Sequence, residues 1–399
     1  MMKSLAGYRV LDLSNVLSGP FCACQLAHLG AEVIKIEVPV RGDLARQLGL
    51  DSELNQKLMG ATFLAQNSGK RSITINLKSA EGVDVFKRLV KTADVVVENF
   101  RPGVMNRLGV GYEVLKDLNP DLVYCAISGF GQEGSLKSRP AYDQIIQGMS
   151  GTMNITGDKE SAPLRVGYPI ADTIGGLTAA FAISAALAKQ DGQRGTFIDV
   201  SMLESVMCTM GFQISNYFNA NKEPQAMGNE NFTSSPSGTF RTSNGQMNIA
   251  ANKQEQFEAT CQVLGLNELL ENPKFATREA RLENRSELSE ILNLTLMTRS
   301  TDEWTELLND VGVPCGPILT VPEALAQPQI AERGMVGTYS DVPGVGRDIQ
   351  ITRTGIKLDG KAPTVDNPPP MLGEHTDEIL GELGMTNTEI KTLKEQKAI

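Results

Sequence analysis

Apolar positions in the first half of the chain alternate between two textures. Short β-branched runs, "YRVLDLS", "AEVIKIE", "RSITINL", "DVVVENF" and "DLVYCAI", are almost continuously apolar. Strands buried on both faces of a parallel sheet have that composition. Between them lie segments with helical spacing, "FCACQLAHLG", "SAEGVDVFKRLVKTA" and "GYEVLKDLN". Strand and helix in strict alternation predict a doubly wound, Rossmann-like α/β domain. Ser79 is the expected N-cap of the second helix. Gly82 stands where a capping box would carry its acid, so that box is incomplete, and Glu81 favours the helix start instead. The longest apolar run, Leu177 to Leu187, is about half a membrane span and predicts a core helix.

The texture changes after "TFIDVSMLESVMCTMGFQ". Residues 221–238 are polar and rich in Pro and Gly, as a linker is. "TFRTSNGQMNIAA" predicts a hairpin turning at Asn244-Gly245. Helical patterns follow near 253–264, 283–297 and 301–311. The reading is a large α/β domain over 1–220 and a smaller α+β domain over 221–330. A C-terminal segment, 331–399, returns to the large domain.

Composition narrows the function. The 399 residues carry a net charge of −10, which argues against a general nucleic-acid or membrane-surface role. One local basic pocket for an anion remains compatible with it. Of six cysteines only Cys22 and Cys24 are close, with no second pair to complete a zinc site, so no metal is expected. The opening "MMKSLAGYRVLDLS" has no apolar leader, and a reducing cytoplasm fits. Only two histidines exist, His28 and His375. Any Ser-His-Asp, Cys-His or histidine-rich metal chemistry would have to use one of them. Both sit in segments that read as structural.

Four stretches carry candidate chemistry. "GFGQEG" (129–134) has dinucleotide-fingerprint spacing, but "SLKSRPAYD" follows it and no helix opens there, so a glycine-rich substrate loop is the better reading. "NSGKRS" (67–72) lacks phosphate-loop spacing. What survives is either basic side chains near a phosphate or a solvated turn. "VVVENFRPGVMNRLG" leaves a strand at Asn99-Phe100-Arg101 and starts a helix at Pro102, which places Arg101 and Arg107 to meet an anion. Finally, Asp172 is a lone acid at the entrance of the apolar helix, beside Gly175-Gly176. As an N-cap its carboxylate would receive helix-start amides and stay ionised at neutral pH. With no histidine partner it suits nucleophilic attack better than proton shuttling.

Together these stretches resemble the class III CoA-transferases, the formyl-CoA/carnitine-CoA family that also contains α-methylacyl-CoA racemases. The resemblance rests, in order, on "GYRVLDLSNVLSGP", "LGAEVIKIEVPVRGD", "GKRSITINLK", "ADVVVENFRPG", "NPDLVYCAISGFGQEG", "PAYDQIIQGMSG", "IADTIGG", "GVPCGPI" and "PPPMLGEHTDEIL". It implies a nucleophilic aspartate at Asp172, acting through a mixed anhydride and an aspartyl-CoA thioester. It implies CoA contacts at Val16, Ile75, Lys78, Asn99, Phe100, Arg101, Arg107 and Leu108, with Tyr142 facing the thioester. It also implies an intertwined homodimer, with acyl-CoA and a small carboxylate as substrates and no cofactor beyond coenzyme A.

Two departures refine the expectation. Leu17 stands where the formyl-CoA enzymes have glutamine, and "SNGQMNIAANKQEQF" lacks their glycine-repeat loop. Succinyl-CoA:dicarboxylate and acetyl-CoA:oxalate members are the closer pattern. Tyr142 stands where the racemases carry histidine. A 2-methylacyl-CoA racemase and a CoA-binding protein without chemistry are the alternatives. For a dicarboxylate acceptor, Arg46 and Arg165 are the candidate cations for the second charge.

Overall fold

The computed structural model describes residues 3–189 and 194–399. The chain divides into two compact units: Met1–Thr152, Arg165–Ala220 and Pro328–Ile399 form one, and Met153–Leu164 with Asn221–Gln327 form the other. The segment Met153–Leu164 therefore leaves the larger unit before the apolar helix begins.

The larger unit is built on six parallel strands: β1 (Arg9–Asp12), β2 (Glu32–Glu37), β3 (Lys70–Thr74), β4 (Val95–Glu98), β5 (Val123–Ser128) and β6 (Thr196–Ser201). Their spatial order is β3-β2-β1-β4-β5-β6. The order reverses between β1 and β4, which opens a crevice beyond their carboxyl ends. Alternate strand residues feed two cores. Val95, Val97, Val123 and Cys125 pack with the helices Ser18–His28 and Ile170–Leu187 on one face. Val96, Tyr124 and Ala126 pack with Ala80–Val90 and the C-terminal helices Thr376–Glu382 and Asn387–Glu395 on the other. The sheet is thus covered on both sides. Ser79 caps its helix as predicted, its Oγ accepting from the Gly82 amide. A Cβ at Gly82 would lie 2.2 Å from the Asn76 carbonyl oxygen, which is why no acid completes that capping box.

A buried ionic network fixes the β1–β3 half. Lys70 Nζ lies 2.8 Å from Asp12 Oδ2, Lys35 Nζ 2.9 Å from Asp43 Oδ2, and Arg46 Nε 2.7 Å from Glu37 Oε1. All six side chains are shut off from solvent. "NSGKRS" is therefore neither a solvated turn nor a phosphate cradle. Lys70 is spent on Asp12, and Arg71 on Glu32, Glu378 and Glu382.

The smaller unit holds a three-stranded antiparallel sheet, β7 (Ser237–Arg241), β8 (Gln246–Ala250) and β9 (Cys315–Pro317). The helices Gln254–Leu264, Arg285–Leu296 and Thr301–Asp310 fall on the three predicted patterns. They bury Phe257, Leu288, Leu292 and Trp304 against Met247 and Ile249.

Candidate active site

The helix Ile170–Leu187 carries Asp172 in its first turn. One turn on, Gly176 lies so close to the first helix that a Cβ there would sit 2.5 Å from the Ser18 carbonyl oxygen. That contact brings the aspartate's helix to the amino end of the first helix, which follows directly from the β1 exit loop. Asp172 therefore stands beside the crevice at the switch point. Leu177 and Phe181 on the same helix face outward.

The helix start is not capped as predicted. Its N-cap is Pro169, which offers no side-chain acceptor, and Asp172 lies inside the helix. The cap comes from Asp143, 29 residues earlier, whose Oδ1 accepts from the amides of Ala171 at 2.8 Å and Asp172 at 3.3 Å. Gln147, four residues on and so on the same face of its helix, donates to Asp143 Oδ2 at 2.6 Å and accepts from the Val166 amide at 2.8 Å. Asp143 and Gln147 thus position the whole segment leading into Asp172. The signal for them was present in "PAYDQIIQG" as an acid and an amide at i and i+4.

The consequence for ionisation reverses the expectation. The amides that were to serve the Asp172 carboxylate serve Asp143 instead. Among the described residues nothing donates to the Asp172 carboxylate. Burial first, and the negative charge of Asp143 second, push its pKa up to about 7. An unpaired carboxyl of that basicity is a more reactive nucleophile than a solvated one, and ionises within reach of neutral pH.

The other predicted residues separate into groups. Asn99 is fully employed in the fold: it accepts from Asn15 N at 2.8 Å and donates to Asn15 O at 2.8 Å and Ser18 Oγ at 3.2 Å. It staples the β4 exit loop to the β1 exit loop across the switch point. Val16, between them, is held at φ 65°, strained for a β-branched residue, and its amide donates to Asp43 Oδ1 at 2.9 Å. Ile75 is buried in the core, and its amide donates to the Glu37 carbonyl at 2.8 Å. Phe100 and Leu108 pack half-buried against the same core.

Lys78, Arg101 and Arg107 are exposed, and none forms an ion pair with another described residue. Arg41, which sequence reasoning passed over, shares that state in the β2 exit loop. These four cations follow β2, β3 and β4 at the carboxyl edge, as anion recognition requires. The helix predicted from Pro102 is a single turn, Val104–Arg107, so the side chains rather than a long helix dipole supply the charge. Tyr142 is 71% exposed and directly precedes Asp143.

Arg46 cannot receive a substrate. It is fully buried, bidentate to Glu37 with both N–O distances 2.7 Å, and stacked 3.7 Å above the Phe63 ring. Arg165 is exposed and, among the described residues, donates only to its neighbour's carbonyl, Val166 O, at 3.2 Å. The glycine stretch 129–134 is a loop, with Gly131 and Gly134 in the left-handed region, as its sequence predicted. His375 Nδ1 accepts from Ser72 N, and His28 is buried at the opposite end of the first helix from Ser18.

This arrangement of a lone basic carboxyl beside a cation-edged switch-point crevice belongs to a defined class of enzyme. The chain is a member of CoA-transferase family III, whose model matches residues 5–376, and is a CoA-transferase. It is 36% identical to the succinyl-CoA:glutarate CoA-transferase of Homo sapiens, over 96% of this chain and 86% of that one. It is 37% identical to the acetyl-CoA:oxalate CoA-transferase of Acetobacter aceti, over 87% of this chain and 88% of that one. A solved CAIB/BAIF family protein from Brucella suis superposes with a TM-score of 0.82 at 36% identity, covering 95% of this chain and 99% of that chain.

Proposed function

We propose that the protein moves CoA from a short acyl-CoA donor of the succinyl-CoA type to a small dicarboxylate, with Asp172 as nucleophile. The observation that carries this reading is the Asp172 carboxyl, its pKa raised to about 7 and with no donor among the described residues, beside the crevice where the β1 and β4 loops meet. Relatives named for succinyl-CoA, glutarate and oxalate support the substrate class.

In this mechanism an Asp172 oxygen attacks the thioester carbonyl, the C–S bond breaks, and a mixed anhydride and CoA thiolate form. The thiolate attacks the aspartyl carbonyl and expels the donor acid, which leaves an aspartyl-CoA thioester. The acceptor carboxylate then attacks that carbonyl and expels the thiolate again. Thiolate attack on the acceptor's acyl carbon releases the new acyl-CoA and regenerates Asp172. Lys78, Arg101, Arg107 and Arg41 hold the CoA phosphates, Val16 offers backbone, Ile75 underlies the site from the core, and Phe100 and Leu108 offer apolar surface. Asn99 acts by holding the loop. Tyr142 faces the thioester, and Arg165 meets the acceptor's second carboxylate.

The enzyme is a homodimer in this reading. Leu177, Phe181, Phe212 and Phe218 are all exposed in the larger unit, more apolar surface than a lone chain comfortably presents to water. Racemisation is not favoured, because it needs acid and base on opposite faces of an α-carbon. His28 lies about 15 Å along the first helix from Ser18, by helical rise alone.

The test is a screen of succinyl-CoA against small dicarboxylates in heavy water, read by mass. Transfer without α-deuteration is expected, and Arg165→Gln should raise the acceptor KM about tenfold while leaving the donor KM alone. Rapid α-deuteration of a 2-methylacyl-CoA with no transfer to any acid would establish the racemase instead.

A further inference from the structure

A second cavity lies in the larger unit behind the β4 exit loop, with a volume of about 360 Å³. That is large enough for a small ring compound. Tyr112, Tyr124 and Phe197 give it an apolar wall, their ring centroids 5.1 to 5.7 Å apart. Two acids line it, Glu98 and Glu113; Glu113 is paired with Lys116 at 3.8 Å, and Glu98 has no ion-pair partner among the described residues.

Two polar groups in the wall are chemically specific. Glu98 is buried, accepting from the Phe100 amide at 2.7 Å and the Tyr124 hydroxyl at 3.3 Å, which leaves acceptor capacity on both oxygens. With no cation beside it, burial pushes its pKa up to about 7. The side-chain Nε2 of Gln132 is buried and has no hydrogen-bond partner among the described residues. A buried donor without a partner is costly, and native structures rarely keep one without a use.

We propose that this cavity binds a small amino-substituted nitrogen heteroaromatic ring of the adenine type. Such a ring places an N–H donor, for Glu98, next to a ring-nitrogen acceptor, for Gln132. Its flat face stacks on the aromatic wall. The lining holds no unpaired cation among the described residues, so the site differs in kind from the cationic edge proposed for CoA. Glu98 also holds the Phe100 amide, so the ligand contacts the loop carrying Asn99 to Arg101 from behind. Occupancy is therefore coupled to that loop's position.

The experiment is calorimetric titration of the full chain with adenine. Saturable binding is expected, weakened about tenfold or more in Gln132→Ala and in Phe197→Ala, unchanged in Asp172→Ala, and not displaced by saturating CoA. Gln132 lies in a loop, so its variant decides the matter should Phe197→Ala fold poorly. The proposal is overturned if adenine fails to bind at roughly ten millimolar. It is equally overturned if the cavity variants bind adenine as the parent does, or if CoA displaces it competitively.

Discussion

Asp12, fully buried, and Asp172, half-buried, are two acids of the same unit with opposite company. Asp12 ends β1 with Lys70 Nζ at 2.8 Å and Lys35 Nζ at 3.8 Å. Burial alone would raise its pKa, but the two ammonium groups hold it below the ordinary carboxylate value. Asp172 has a second acid for a neighbour and no donor among the described residues, and is pushed up to about 7. The paired charge fixes loops, since Lys35 also donates to Ser14 O and binds Asp43, which orders Val16. The unpaired charge opposes folding, as the nucleophilic role proposed for it would require. Burial by itself does not mark a functional acid, whereas burial without compensation does.

The comparison breaks first at Asp12. Asp12→Ala should cost about 3–5 kcal/mol, because it strands Lys70 in the core. A urea melt that moves by less than about 1 kcal/mol would show the network to be dispensable.

Asp172→Asn should do the reverse. The wild-type carboxyl ionises near its ordinary 3.8 when unfolded and at about 7 when folded, so wild-type stability falls as pH rises between those values. The amide does not titrate. The variant should therefore be the more stable, with an advantage that grows from about pH 4 to about pH 7 and then levels off, on the order of 4 kcal/mol. Parallel stability curves across that range would contradict the raised pKa.

Asp143→Asn tests the electrostatic effect while keeping the helix cap. Its carbonyl oxygen still accepts from Ala171 N and the negative charge is gone, although its amide nitrogen replaces the oxygen that accepted from Gln147. The acid limb of kcat/KM should rise with pH through about 7 in the wild type and should move to lower pH in the variant, by about one unit. A lower kcat with an unmoved limb would make Asp143 purely structural.

Much of this was legible in the sequence, and the failures share one cause. The strands of the large unit, the cap at Ser79 and the three helices of the small unit follow from periodicity and local chemistry. Arg46 was a candidate for substrate because its partner, Glu37, is set by a turn between them and not by spacing. Lys70 appeared solvent-facing because Asp12 lies 58 residues away. Asp172 appeared ionised because the acid that takes its helix's amides is 29 residues distant. In each case a charge was read with its neighbours in sequence, and the fold supplied others.

The central claim, that Asp172 attacks the thioester, is tested most directly by trapping. After brief incubation with succinyl-CoA and quenching with hydroxylamine, peptide mass spectrometry should find an aspartyl hydroxamate at Asp172 alone, absent when acyl-CoA is omitted. An unmodified Asp172 peptide from an enzyme that is turning over, or normal turnover by a folded Asp172→Ala variant, would contradict the account.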